Sequence, residues 1–307
     1  MKSQAVMTPR HVEFKKIALL TDLGSASEAP LLFAASLAKQ YGSDLLLAHA
    51  YAPEFYVSVP PEPLPNWPGS GLPPREDAEQ QSRELISRHQ LQDVVSMVLI
   101  NESGIAGLLG DLEERRPDLV ILSTHARKGL RKWLAGSVAE EVFRRARWPV
   151  LVLPPGYLES EPREPRFQQV LYATDMSEIS STALHYAAGI ADDNQGELVA
   201  LHVDPVESEG FSFSRIMDLQ KLEDWLRSHR HDHTGALGHA DCLVRFGEPG
   251  RQICEAAAEL GADLIVMGAR GFGAVSGLAS HFVGGTAYEV SCTAPRPVLI
   301  VPHERQA

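Results

Sequence analysis

A chain of 307 residues is long enough for about two domains, and its net charge of −12 repels polyanions at long range. General binding to nucleic acid or to an anionic membrane surface is therefore not expected. Apolar residues make up 44% and aromatics 7%, a balance that suits an aliphatic α/β core.

In chain order, the N-terminal MKSQAVMTPRHVEFKK holds no apolar stretch, so no signal peptide is expected. The longest apolar runs are strand-sized, which argues against a transmembrane helix. IALLTD reads as a strand and APLLFAASLAKQYG as a helix stopped by Gly42. DLLLAHA follows as a second strand. A proline-rich loop, residues 52–74, comes next; it carries Phe55, Tyr56, Val59, Leu64 and Trp67, suited to covering a crevice or presenting a partner surface. VVSMVLI, the helix IAGLLGDLEERRP stopped by Pro117, DLVILS, a loop with a helix start at Gly136-Ser137, and PVLVLP complete the first half. The five apolar runs are branched and apolar on both faces, as in parallel strands covered on both sides by helices.

The same series then returns. TDLGSAS at 21–27 reappears as TDMSEIS at 174–180, which matches Asp22 to Asp175; His49 likewise matches His202, both 153 residues apart. PDLVILSTHA (117–126) matches ADLIVMGARG (262–271), and PVLVLP (149–154) matches PVLIVP (297–302). Two folded copies are expected: a domain over 1–156, a polar, proline-rich linker over 157–165, and a domain over 166–307. Each should be a doubly wound, flavodoxin/Rossmann-like sheet of five parallel strands. Its ligand crevice should lie at the carboxyl strand ends, where the strand order reverses. The two terminal strands are expected to pair within the chain about a pseudo-two-fold axis, hiding edges that would otherwise be exposed. A homodimer of the whole tandem chain is left open.

If the first and fourth strands are neighbours, each copy brings an aspartate and a small-residue loop to one crevice. In the second copy Gly268 and Gly271 open that loop, and Gly284-Gly285-Thr286 stand at a helix start. Glycine lets main-chain N–H groups approach a phosphate, and a helix start offers further free N–H groups and a positive dipole end. The first copy has Ser123 and Ala126 in the glycine places, and Gly136-Ser137 at the helix start. Forcing a non-glycine residue into positive φ costs about 1–2 kcal/mol, which disfavours the first copy if those positions need it. Arg127, Lys128, Arg131 and Lys132 supply charge there, whereas the second copy has Arg270. The second copy is the favoured site, since a metal can supply charge but not main-chain access. The match to Gly136-Ser137 is ambiguous by one residue, at Gly284 or Gly285.

On these residues both halves resemble universal stress protein (UspA-type) domains, and the whole chain resembles a tandem two-domain (UspE-like) member. Nucleotide-binding members carry Gly-x2-Gly-x9-Gly-Ser/Thr after strand four, an aspartate after strand one that meets adenine, and a main-chain contact at the end of strand two. The resemblance therefore implies ATP, with Mg as an option, and a cytoplasmic stress-response regulator. It places the second-copy site at Ala173, Asp175, Val203, Met267, Gly268, Arg270, Gly271, Gly284, Gly285 and Thr286. The weaker first-copy site would be Leu20, Asp22, Ala50, Leu122, Ser123, His125, Ala126, Gly136, Ser137 and Val138.

Other constellations are less telling. The three cysteines, Cys242, Cys254 and Cys292, lack metal-ligand spacing and read as bland buried thiols. HRHDH (229–233) places His229 and His233 four apart on a helix, with Asp232 as a third zinc ligand, but a solvated helix end explains it as well. His49 and His202 read as structural. Asp22 and Asp175 also read as caps of the next helix. There is no GxxxxGK[ST] phosphate loop and no Gly-x-Ser-x-Gly elbow, so no catalytic residue is assigned. A nucleotide-free scaffold, a slow ATPase and a zinc protein stand as alternatives.

Overall fold

The computed structural model describes residues 11–50, 75–123, 137–154, 157, 164–205, 211–229, 235–269 and 285–302. They fall into two compact units. One covers residues 14–122; the other runs from residue 123 onward and takes in the short stretch before Phe14.

The first unit alternates strand and helix: β1 (Lys16–Leu20), α1 (Glu28–Tyr41), β2 (Asp44–Ala50), α2 (Arg75–Arg88), β3 (Val95–Asn101), α3 (Gly104–Arg115) and β4 (Leu119–Ser123). The strands are parallel in the order β3-β2-β1-β4. Ile17, Ala18 and Leu19 of β1 are fully buried, as a central strand covered on both faces requires. Leu31, Ala34, Leu37 and Ala38 make the buried stripe of α1, which Gly42 ends in the left-handed conformation at φ 65°. Pro117 does not stop α3 alone: Arg116 takes φ 50°, and its N–H caps Leu112 O. β3 departs from the expectation of burial on both faces. It is the outer strand, so Ser96 and Met97 are exposed.

The second unit holds α4 (Ser137–Arg145), β5 (Val150–Leu153), β6 (Gln169–Thr174), α5 (Glu178–Asp193), β7 (Glu197–Asp204), α6 (Phe211–His229), β8 (Asp241–Phe246), α7 (Pro249–Glu259), β9 (Leu264–Gly268), α8 (Gly285–Thr293) and β10 (Val298–Val301). The second repeat builds the parallel order β8-β7-β6-β9-β10, or 3-2-1-4-5 by its own strand count. The order therefore reverses between its first and fourth strands, β6 and β9. Such a reversal leaves a crevice at the carboxyl ends.

β5, the last strand of the first repeat, pairs antiparallel with β10, the last of the second. Val150, Leu151 and Val152 face Ile300, Leu299 and Val298. Leu151 and Leu299 hold the same place in their repeats, so a pseudo-two-fold axis passes between them. All eight residues of the two strands are buried, and burying such an aliphatic side chain stabilises by about 1.5–3 kcal/mol. β5 and β10 stand 148 residues apart, and at that offset Gly284 aligns with Gly136 and Gly285 with Ser137.

Candidate functional site

The site is built where β6 leaves the sheet of the second repeat. Thr174 Oγ1 accepts the Met176 N–H at 2.9 Å and shares a hydrogen bond with Ser180 Oγ at 2.9 Å. The turn so closed holds Met176 at φ 59°. A left-handed non-glycine residue costs about 1–2 kcal/mol, and its surroundings must hold it there. Asp175, between them, is half-buried; its Oδ1 accepts the Ser177 N–H at 3.1 Å and the Ser177 Oγ–H at 2.7 Å. Ser177 Oγ in turn accepts the Ser180 N–H at 3.3 Å. Asp175 is thus not the cap of α5. Ser177 is the cap, and Asp175 braces it. Tyr172, fully buried below, donates its hydroxyl to Ser180 O at 2.8 Å, and burial pushes its phenol well above its ordinary pKa.

The first repeat makes the same turn with other residues. Thr21 Oγ1 accepts the Leu23 N–H at 3.0 Å, and Leu23 takes φ 58°. Asp22 Oδ1 accepts the Gly24 N–H at 3.0 Å and the Ser27 Oγ–H at 2.6 Å. Here a 3-10 turn over Ser25–Ser27 precedes the helix, and the Ser27 side chain makes no capping bond.

The register gathers the other strand-end residues of the second repeat. Ala173 stands beside Met267, Thr174 beside His202, Val203 beside Arg245, and Gly268 beside Val301. Ala173 and Met267 are buried, so only their main chain can serve a ligand. Asp175, Val203 and Gly268 therefore sit at or beside the carboxyl ends of β6, β7 and β9, three adjacent strands. Gly268 closes β9 in extended backbone. Among the described residues, Gly42, Gly104, Gly247 and Gly261 take positive φ, and Gly268 does not. What Gly268 offers is the missing Cβ, not a left-handed turn.

Ser123, its counterpart, closes β4 in the same extended form, so the positive-φ penalty reckoned from the sequence does not apply there. Leu20 and Leu122 are buried, Ala50 is half-buried at the end of β2, and Val138 is exposed on α4, which Ser137 opens. At the start of α8, a Cβ on Gly285 would meet nothing within 4 Å, and Thr286 is half-buried. His125, Ala126, Gly136, Arg270, Gly271 and Gly284 lie outside the described residues, as does the loop at 52–74.

The histidine cluster is only partly described, since Asp232 and His233 lie outside. His229 ends α6; its Nδ1 donates to Trp225 O at 2.8 Å, and its ring lies 4.3 Å from the Trp225 ring. Among the described residues no group of three or more His, Cys, Asp or Glu could hold a metal. The three cysteines are half-buried rather than buried. Burial still pushes the Cys254 thiol up.

One pair escaped the sequence. Glu248 caps α7, accepting the N–H groups of Gly250 at 3.0 Å and Arg251 at 2.7 Å. Glu289 of α8 approaches so closely that a Cβ on Gly250 would collide with its carboxyl group. Desolvation, then Glu248, pushes the Glu289 carboxyl up. Its counterpart in the first repeat, Glu141, is held low by a two-point ion pair with Arg144. The signal lay in the aligned helices: Arg144-Arg145 is replaced by Cys292-Thr293, which strips Glu289 of its cation.

A doubly wound α/β sheet, repeated and closed by its last strands, is the architecture so defined. The Universal stress protein family matches over residues 13–154 and again over 166–302, and the chain belongs to that family. It is 26% identical over 299 residues to universal stress protein Rv2623 of Mycobacterium tuberculosis, covering 91% of this chain and 93% of that protein. Universal stress protein Sll1388 of Synechocystis sp. is 31% identical over 157 residues, 45% of this chain and 99% of its own. The crystal structure of a universal stress protein from Archaeoglobus fulgidus superposes with a TM-score of 0.67 at 18% identity, covering 95% of this chain and 100% of that one. Among the described residues no helix is long and apolar enough to cross a membrane.

Proposed function

We propose that the chain binds an adenine nucleotide, ATP with Mg as an option, in the second repeat and acts as a cytoplasmic stress-response regulator, its domains running over 1–156 and 166–307. The observation that carries this reading is the meeting of Asp175, Val203 and Gly268 at three neighbouring strand ends where the strand order reverses. A carboxylate there accepts from the exocyclic amine of adenine, the main chain at Val203 offers an edge to the same base, and Gly268 lets main-chain amides approach phosphate. The helix start at Gly285-Thr286 adds free N–H groups for the anion.

No residue in this set is a nucleophile or a matched acid and base, so binding rather than turnover is the proposed activity. The test is thermal unfolding with and without ATP-Mg. A ligand of the native state at a hundred times its Kd adds about 2.7 kcal/mol, a shift of several degrees. Asp175→Ala should remove most of that shift. An unchanged midpoint at millimolar ATP-Mg would favour a nucleotide-free scaffold.

A further inference from the structure

We propose that His202 is a positioning residue of this site: its ring N–H, donated to the carbonyl just before Asp175, fixes the turn that aims the carboxylate. The consequence for nucleotide rests on the reading above; the consequence for the turn does not. His202 Nδ1 lies 3.0 Å from Thr174 O. A carbonyl oxygen only accepts, so Nδ1 carries the proton. Thr174 and His202 are also the last register pair between β6 and β7. The ring bond therefore acts where that ladder stops, on the peptide plane joining Thr174 to Asp175.

The next residues depend on that plane. The Met176 N–H turns back onto Thr174 Oγ1, Met176 is forced to φ 59°, and Asp175 Oδ1 receives both Ser177 donors. A strained residue flanked by such bonds needs its entry fixed from outside the turn. The first repeat supplies the same device independently. There the Thr21 N–H extends the ladder to Ala48 O at 2.9 Å, and the His49 ring takes Thr21 O at 2.8 Å. Leu23 then sits at φ 58°. The strained residue differs between repeats, as does the helix entry after it. The ring, the carbonyl, the threonine and the aspartate are common to both.

A space-filling role would tolerate any side chain of similar bulk, whereas a positioning role demands a donor at one place. His202→Asn sets an amide N–H on the atom next to Cγ, where Nδ1 stands; His202→Gln carries it one bond further out; His202→Leu removes it. The readouts on the full chain are exchange rates of the Met176 and Ser177 amides without ligand, and ATP-Mg affinity by calorimetry. The Asn variant should stay within about threefold of the parent on both, while Gln and Leu speed exchange and weaken ATP by about tenfold or more. The Leu171 and Leu201 amides report on the sheet itself. If the Leu variant loosens those too, the contrast of Asn with Gln decides.

Unchanged Met176 and Ser177 exchange in the Gln variant, or an Asn variant as fast as Leu, overturns the proposal. Exchange in the expected order with no ATP binding by the parent would instead sink the nucleotide reading and leave the positioning role standing.

Discussion

Tyr288 of α8 donates its hydroxyl to Glu140 of α4 at 3.3 Å, and the two residues occupy the same position in their repeats. The axis that relates them also passes between Leu151 and Leu299. A contact of this kind is self-complementary in a two-fold dimer. In one chain the two sides are free to diverge, and they have: the Tyr288 ring packs edge-on against Phe143 at 6.1 Å, while the position matching Phe143 is Ser291.

The β5–β10 seam should therefore carry much of the second unit's stability. Leu299→Ala should cost about 2–5 kcal/mol in urea unfolding, because the side chain is buried and its neighbours cannot fully close the cavity. Leu151→Ala should cost about as much. The double variant should depart from the sum, since the two residues touch across one seam.

The equivalent carboxylates Glu141 and Glu289 should answer acid in opposite senses. Glu141 is held below the ordinary carboxylate value of 4.5, so its contribution is present above that pH and is lost as pH falls through its folded pKa. Glu289 is held above 4.5, so its contribution is present below that pH and is lost as pH rises through its folded pKa. Glu141→Gln should then destabilise at pH 7 with little effect in acid. Glu289→Gln should stabilise at pH 7 and lose that advantage near pH 4. Urea midpoints across that range check both signs.

Gly250→Ala should cost about 1–2 kcal/mol, because the new Cβ meets the Glu289 carboxyl group. Since Glu289 is a flexible side chain, the cost should nearly vanish in a Glu289→Ala background. A double-mutant cycle reads that coupling directly.

Met176→Gly should leave stability unchanged or raise it by up to about 1 kcal/mol, because glycine takes φ 59° without a Cβ clash. Met176→Val, branched at Cβ, should lower it. Equal effects of Gly and Val on the unfolding midpoint would mean that the turn is not strained.

The repeat and its strands were legible because burial on both faces leaves nearly continuous aliphatic runs, as in KIALL and VLYA. β3 was misjudged by the same rule, since an apolar residue such as Met97 looks alike on an outer strand and an inner one. Asp22 and Asp175 were found as repeated residues at strand ends, but their partners were not. Bracing Ser177 and receiving the His202 clamp depend on turn geometry that spacing does not reveal. Glu289 was invisible because its neighbour Glu248 lies 41 residues away and only folding brings α7 and α8 together. Ser123 looked like a defect in a glycine place until its extended backbone removed the supposed strain.

Isothermal titration of the full chain with ATP-Mg, at a salt concentration held constant, tests the central claim most directly. One nucleotide per chain is expected, with binding lost in Asp175→Ala and kept in Asp22→Ala. No heat of binding, or binding that Asp22→Ala removes and Asp175→Ala spares, would contradict a ligand site in the second repeat.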